Sequence, residues 1–171
     1  MSNELIAELA NLALTLSLIV AIIFGIVQAR TANRDRKERL TLETLRNFQT
    51  REFSELLFYI TTGKMPSSLA QWQNLPANER ILLIQFGQEM ESLGMLVAER
   101  YIDLDLVDKT LGSFVMTAWD KYKPVFTEMR EKNPDPFLGE YFQWLAERID
   151  ERMKRNPREP FYESHRYISV K

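Results

Sequence analysis

The sequence predicts an all-α protein with a single N-terminal transmembrane helix followed by a small antiparallel helical bundle. Two observations predict this fold class. An uncharged apolar stretch near the N-terminus is long enough to cross a bilayer. The rest of the chain repeats its apolar residues at three- and four-residue steps, which is the period of an amphipathic helix. The sequence shows no convincing pair of strands with alternating apolar residues. Each apolar helix face is therefore expected to pack on neighbouring helices.

The composition limits the classes of function. At 171 residues the chain is long enough for one globular domain and an anchor. The charged fraction of 27% and the mean hydropathy of −0.28 are those of a soluble domain, so any membrane segment is local. A formal charge of −2 does not attract nucleic acid, and the lack of cysteine excludes disulfides and thiolate chemistry. We therefore expect no nucleic-acid partner.

The predicted transmembrane helix runs from Leu9 to Ala29. This stretch carries no charge, and at about 1.5 Å per residue a helix of this length spans a hydrocarbon core of roughly 30 Å. A cleaved signal peptide fits poorly, because Glu4 and Glu8 precede the apolar run where such peptides are basic, and Arg30 closes it without a small-residue cleavage site. We expect the segment to be retained.

Basic residues follow this helix and predict its orientation. They are Arg30, Arg34, Arg36, Lys37 and Arg39. Positively charged flanks stay on the cytoplasmic side, so residues 1–8 are expected to form a short extracytoplasmic N-terminus and the main domain to face the cytoplasm. The same side chains could also attract anionic lipid headgroups, by on the order of 1 kcal/mol each. We favour the interpretation that they only set the topology.

Small residues recur at every fourth position of the predicted transmembrane helix. They are Ala13, Ser17, Ala21, Gly25 and Ala29. Such a ridge allows close backbone approach, which is a common basis of helix packing in membranes. The alternative is a coincidence of composition, because alanine and glycine are frequent in these helices. If the ridge packs, its partner is a second copy of the chain or another protein.

The basic stretch, residues 30–40, is expected to be a juxtamembrane helix that continues without a break into the bundle. Apolar residues at helical spacing extend the pattern. They are Leu42, Leu45, Phe48, Phe53, Leu56, Leu57 and Ile60. Gly63 and Pro66 are expected to end this helix, since glycine permits a left-handed cap and proline cannot continue. The segment that contains Trp72 is expected to be a connection.

Two further helices are predicted in the middle of the chain. Asn74 is expected to cap the first, whose apolar face is Leu82, Leu83, Phe86, Met90, Leu93 and Val97. Asp103 or Asp105 is expected to cap the second, which Pro124 breaks or kinks. The apolar face of the second is Leu106, Val107, Leu111, Phe114, Val115, Ala118 and Trp119.

A last helix is predicted directly after the turn sequence at residues 133–136. Its apolar face is Phe137, Leu138, Tyr141, Phe142, Leu145, Ile149 and Met153. It ends before Asn156 and Pro157, so the bundle is expected to cover residues 41–155. The tail, residues 156–171, is irregular but rich in aromatic residues, and it is expected to dock on its own bundle or, alternatively, on a partner.

The sequence offers no catalytic, cofactor-binding or metal-binding residues. His165 is the only histidine, and the glycines are scattered singly, so neither a histidine-based site nor a phosphate loop can be assigned. The acids on the predicted helices are Glu89, Glu91, Glu99, Glu140 and Glu147. They lack the Glu-x-x-His motif of di-metal bundles and are expected to be solvated, except that Glu89 is expected to be partly buried.

Three stretches carry a resemblance to a known family: residues 86–97, Trp119 with Pro124 behind it, and residues 141–146. The chain resembles a bacterial family of uncharacterised proteins, the domain-of-unknown-function family 4760. The resemblance implies a membrane helix followed by a small helical domain, in the bacterial inner membrane. It implies neither an activity nor a cofactor.

The predicted function is a membrane-tethered, non-enzymatic protein-interaction module or an accessory subunit of a membrane complex. The expected partners are the membrane and a protein, or a second copy of the chain through the transmembrane helix. The alternative is an enzyme that uses buried carboxylates of the bundle, which requires acids that converge on a pocket.

Overall fold

The computed structural model describes residues 3–133 and 135–164. All of its regular elements are helical, which confirms the predicted all-α class. In chain order the α-helices are α1 (Asn3–Asn47), α2 (Arg51–Tyr59), α3 (Leu69–Asn74), α4 (Ala77–Ala98), α5 (Leu104–Lys132), α6 (Glu140–Arg155) and α7 (Phe161–Ser164). A π-helical turn, Ile60–Lys64, directly follows α2. The chain divides into two compact units, Met1–Leu40 and Thr41–Lys171.

The first unit contains most of α1. One helix in the described part of the chain is long and apolar enough to cross a membrane, and it is this one. Its most apolar window has a mean hydropathy of 2.5, and none of that window is buried inside the chain. A core helix of a soluble domain would instead bury one side of this surface.

The second unit begins with the last turns of α1, which end at Asn47. The prediction of one continuous helix as far as Gly63 is wrong. The Thr50 hydroxyl accepts a hydrogen bond from the Phe53 N–H at 3.2 Å and so starts a new helix, α2. The predicted end of the helical segment at Gly63 is confirmed. The turn that follows α2 contains Gly63, whose φ of 84° departs from the helical conformation.

The prediction that the segment around Trp72 is only a connection is wrong, because this segment forms the short helix α3. The Ser68 hydroxyl caps it by accepting from the Gln71 N–H at 3.3 Å. A carboxylate oxygen of Glu128 on α5 accepts from the Leu69 N–H at 3.0 Å. Six residues are too few to establish a helical period in the sequence, so this element escaped prediction.

Helix α5 is capped by Asp103, one of the two caps predicted. The Asp103 carboxylate accepts from the backbone N–H groups of Asp105 and Leu106 at 2.8 and 3.3 Å. Of the two effects predicted for Pro124, a break or a kink, the break is wrong, since α5 continues through it to Lys132. Pro124 is exposed, so water can reach the carbonyl that loses its hydrogen-bond donor, while Tyr122 and the residues after Pro124 remain buried.

Aromatic side chains from three helices fill the centre of the bundle. The ring of Phe142 on α6 lies 5.1 Å from Trp119, 5.6 Å from Tyr122 and 6.4 Å from Phe86. The Tyr122 hydroxyl donates to the Leu83 carbonyl at 2.8 Å, so its polar end is satisfied inside the core. Burial raises the pKa of Tyr122 well above its ordinary value.

Helix α6 begins at Glu140, later than predicted. Residues before it form a turn that ends at Gly139, whose φ of 69° favours glycine. Several residues assigned to apolar faces, or to the last helix, instead lie at the surface: Leu42, Leu82, Phe114, Phe137 and Met153. The predicted end at Asn156 is confirmed.

The C-terminal tail contains the short helix α7, so the prediction that the tail is irregular is wrong at that helix. Residues 165–171, which include His165, lie outside the described residues.

Candidate functional site

The small-residue ridge lies on α1, where the structure places it entirely at the surface. Its members are Ala13, Ser17, Ala21, Gly25 and Ala29. Apart from the adjoining backbone of α1, none of the described residues would have an atom within 4 Å of a Cβ added at Gly25. The hydroxyl of Ser17 donates to the Ala13 carbonyl at 2.8 Å, and Thr15 bonds in the same way to Asn11. These polar groups are therefore satisfied within the helix.

The five basic residues predicted to set topology lie on the next turns of the same helix. They are Arg30, Arg34, Arg36, Lys37 and Arg39. The Arg34 Nε lies 2.8 Å from a Glu38 carboxylate oxygen, in an exposed pair four residues apart. Such exposed pairs contribute little to helix stability. The exposed guanidinium groups of this stretch can still reach phosphates or carboxylates outside the chain.

The acids of the bundle serve mainly as helix caps and surface partners. The two carboxylate oxygens of Glu91 on α4 accept from the N–H groups of Tyr141 and Phe142 at 3.2 and 2.9 Å. Glu91 thereby caps α6 from another helix, where the helix dipole also favours a negative charge. Glu89 is half-buried, as predicted, and accepts from the Gln85 amide at 3.3 Å. Among residues 3–133 and 135–164, no three His, Cys, Asp or Glu side chains are grouped to hold a metal ion.

Asp108 on α5 is a buried acid that the sequence reasoning missed. Its side chain is 8% exposed, and its Oδ2 lies 3.6 Å from the Nε of Arg152. Its Oδ1 has no hydrogen-bond partner in the described part of the chain. A Cβ added at Gly112 would lie 2.7 Å from this oxygen, so the glycine makes room for the carboxylate. The signal in the sequence that could have indicated this buried acid is Asp108 followed four residues later by Gly112.

The first turns of α4 expose apolar side chains, which the sequence reasoning also missed. Ile81 and Ile84 are 63% and 48% exposed. A groove of about 340 Å³ runs beside Ile84 and is also lined by Trp72 of α3, Phe126 and Met129 of α5, and Leu138. The apolar residues of α4 were all assigned to one inward-facing side. The uninterrupted apolar run at 81–84 indicates that some of them are exposed instead.

A family model described as Domain of unknown function (DUF4760) matches residues 12–149. The chain belongs to this family. The match confirms the family resemblance drawn from the sequence, and it includes both the apolar part of α1 and most of the bundle. Neither a curated protein nor a solved structure matches the chain.

The three stretches that carry the DUF4760 resemblance lie on α4, α5 and α6. They meet in the aromatic centre, to which they contribute Phe86, Trp119 and Phe142. Two of them also meet at Gly94, where an added Cβ would lie 2.2 Å from the Tyr141 carbonyl oxygen. The three stretches therefore contribute mainly to the packing of the domain, although Gln88 and Glu91 of the first stretch also line the groove beside α4.

Proposed function

We propose that this DUF4760 chain is a membrane-tethered protein-interaction module, or an accessory subunit of a membrane complex, without enzymatic activity. One observation carries the proposal. The most apolar window of α1 has a mean hydropathy of 2.5 and no part of it is buried by the chain. At about 25 cal/mol per Å² of apolar surface, leaving this helix in water is strongly unfavourable, so lipid or a protein partner must cover it.

The proposed orientation has the N-terminus outside and the bundle in the cytoplasm of a bacterial inner membrane. The basic flank of five residues after the apolar segment supports it, because such flanks resist translocation. Retention of the helix is supported by Glu4 and Glu8, which differ from the basic start of a signal peptide. The ridge from Ala13 to Ala29 supports packing against a partner helix.

The use of the acids in the bundle supports a binding role over a catalytic one. Glu91 and Glu128 accept backbone N–H groups at the starts of α6 and α3. Asp105 is paired with Lys109 and Arg152 at its surface position. Carboxylates held in this way stabilise helices and are not directed at a common reacting atom.

Membrane extraction of the full chain tests the tether. We expect it to remain in the membrane fraction at alkaline pH, and a variant that lacks residues 9–29 to become soluble. Intact mass measurement should show that the helix is retained in the mature protein. Release of the full chain by alkali, or loss of the helix by cleavage, would refute the tether.

A pair of reporters fused after Lys171 tests the orientation. We expect a reporter that works only outside the cytoplasm to be silent and one that works only inside to be active. Neutralising the basic flank, with all five residues changed to Gln, should reduce this asymmetry because the charges set the topology. The opposite pattern of reporter activity in the unchanged chain would invert the proposed orientation.

A further inference from the structure

The basic flank, residues 30–39 of α1, lies directly beyond the apolar segment and belongs to the same helix. Because α1 is uninterrupted through this stretch, the rise of about 1.5 Å per residue fixes the position of each charge along the helix axis. Arg30 adjoins Ala29, the last residue of the apolar segment, and Arg34 lies about 7.5 Å beyond Ala29. Both charges therefore lie within about 10 Å of the apolar segment, which is the electrostatic screening length at about 0.1 M salt.

The charges of the basic flank are exposed and lie on different sides of α1. Arg30, Arg34 and Arg36 are all exposed. Arg30 and Arg34 are four residues apart and share one side, while Arg36 lies about 120° around the axis from Arg30 at 3.6 residues per turn. The flank contains only two acids, Asp35 and Glu38, so its net charge is +3. Positive charge therefore surrounds α1 over a wide arc.

The ion pair within the flank leaves hydrogen-bond donors for an external anion. The Arg34 Nε donates to a Glu38 carboxylate oxygen at 2.8 Å, and the Arg34 side chain remains 80% exposed. A guanidinium group has five N–H donors, so this bond uses only one of them. The remaining N–H groups of Arg34 can donate to phosphate oxygens, and such charge-assisted hydrogen bonds are stronger than neutral ones.

The two ends of the apolar segment differ in the residues that can anchor it at a membrane surface. No tryptophan or tyrosine precedes Tyr59 in the sequence, so neither end has the aromatic residues that often anchor transmembrane helices. The N-terminal end has Glu4 and Glu8, and residues 1–8 contain no lysine or arginine. Attraction to anionic headgroups is therefore restricted to the C-terminal end, where the basic flank lies.

We propose that the basic flank binds anionic phospholipid headgroups, so that α1 gathers a shell of these lipids at its C-terminal end. The inference rests on the proposed tether and gives the membrane partner a chemical class. One cation at a membrane surface is attracted to anionic lipid by the equivalent of about a fivefold preference. The two acids of the flank and screening by salt oppose this attraction, so we expect an overall preference of about threefold.

Topology and lipid binding are separable properties of the same charges. Topology is set while the chain inserts into a membrane, whereas attraction to lipid continues afterwards in any bilayer. In vesicles with the same lipids in both leaflets, the orientation of the chain has no effect on a measured lipid preference. A preference in such vesicles therefore reports lipid attraction alone.

Spin-labelled lipids in vesicles that contain the full chain measure this preference. Phosphatidylcholine vesicles carry the chain and a trace of spin-labelled phosphatidylglycerol or phosphatidylcholine, and electron spin resonance gives the fraction of each label held by the protein. We expect phosphatidylglycerol to be held about threefold more strongly at low salt. The ratio should approach 1 at about 1 M salt, where the screening length is about 3 Å. Arg30→Gln combined with Arg34→Gln should lower the low-salt ratio below about 1.5.

Two matched variants locate the effect and identify its cause. Arg46→Gln combined with Arg51→Gln removes the same charge from exposed positions outside the basic flank, so the ratio should not change. Arg30→Lys combined with Arg34→Lys keeps the positive charge, so the ratio should stay near that of the parent. All four positions are exposed, and a circular dichroism spectrum that matches the parent excludes misfolding as the cause.

The outcomes separate this inference from the proposed function. Equal holding of both labels by the parent, an equal fall in both glutamine variants, or loss of the preference in the lysine variant would each overturn lipid binding by the flank. Soluble glycerol phosphate, at the concentration of the labelled lipid, should not compete. Competition would identify a site for free phosphate and would also overturn the inference. A chain that floats with no vesicles would overturn the tether and this inference together, whereas one that floats without a preference would overturn this inference alone.

Discussion

Helices α1 and α4 are both apolar, but their glycines have different surroundings. Gly94 of α4 lies against the backbone of α6, where an added Cβ would meet the Tyr141 carbonyl oxygen at 2.2 Å. At Gly25 of α1, such a Cβ would have no atom of the described residues within 4 Å beyond the adjoining backbone of α1 itself. The glycine in α4 is required by a neighbour in the same chain. The glycine in α1 becomes a contact residue only if a neighbour comes from outside.

The largest expected effect comes from filling the space at Gly94. Gly94→Ala should destabilise the bundle by on the order of 3 kcal/mol, because α4 and α6 must move apart to remove the overlap. Denaturant unfolding of the full chain in micelles, followed by tryptophan fluorescence, measures this. All three tryptophans lie after residue 40, so the signal reports on the bundle alone.

The matched control is Gly25→Ala, which adds the same methyl group to α1. Since no described residue outside the adjoining backbone of α1 lies within 4 Å of this methyl group, the unfolding midpoint of the bundle should not change. A similar loss in both variants would show that the contrast between the two glycines is not real. A loss at neither would show that α4 and α6 do not approach as closely as described.

Removing the cap that α4 provides for α6 should have the next largest effect. Glu91→Ala leaves the N–H groups of Tyr141 and Phe142 without their carboxylate, at a cost of about 1–2 kcal/mol. The same unfolding experiment measures it. Glu99→Ala is the control at an exposed acid near the end of α4 and should stay within about 0.5 kcal/mol of the parent.

The ridge of α1 predicts an effect on association but not on bundle stability. Gly25→Ile or Ala21→Ile should reduce cross-linking between transmembrane helices, because a bulky side chain separates the two backbones. Ile23→Leu is the control, since it preserves both hydrophobicity and the spacing of small residues. Association assays in membranes at matched expression measure the effect. Equal association of Gly25→Ile and Ile23→Leu would mean that the ridge is a coincidence of composition.

The sequence predicted the long helices better than the contacts between them. Periodic apolar residues identified α4, α5 and α6, because helices of this length repeat their pattern several times. The break after Asn47 was missed, since Thr50 is one polar residue in a continuing apolar pattern and its capping role depends on one local hydrogen bond. α3 was missed because it is too short to show a period.

The surface features were predicted unevenly for a similar reason. The α1 ridge and the basic flank depend on spacing along one helix, so the sequence alone locates them. The apolar groove beside α4 joins Trp72, Phe126 and Leu138, which are far apart in the chain and meet only after folding. The cap formed by Glu91 likewise requires α6 to lie against α4. Features assembled from several helices have no signature along the sequence.

The smallest expected effect is a pH dependence at the surface of α5. The hydrogen bond from Lys109, together with the positive charges of Lys109 and Arg152, holds the pKa of Asp105 below its ordinary value. The folded state therefore binds this proton less readily than the unfolded chain. The resulting stability is present above the ordinary pKa of an aspartate, about 3.9, and is lost as the pH falls through the lower folded value.

Asp105 is largely exposed, so solvent screening limits its contribution to below about 1 kcal/mol. Asp105→Asn should therefore lower the free energy of unfolding slightly at pH 7 and leave it nearly unchanged at the acid end of the range. Glu99→Gln, at an exposed acid without a described ion pair, controls for the change in net charge. High salt should shrink the difference at pH 7, because exposed ion pairs are screened. A loss for Asp105→Asn that is as large at pH 2 as at pH 7 would mean that the side chain acts through packing, and the ion pairs with Lys109 and Arg152 would then contribute nothing measurable.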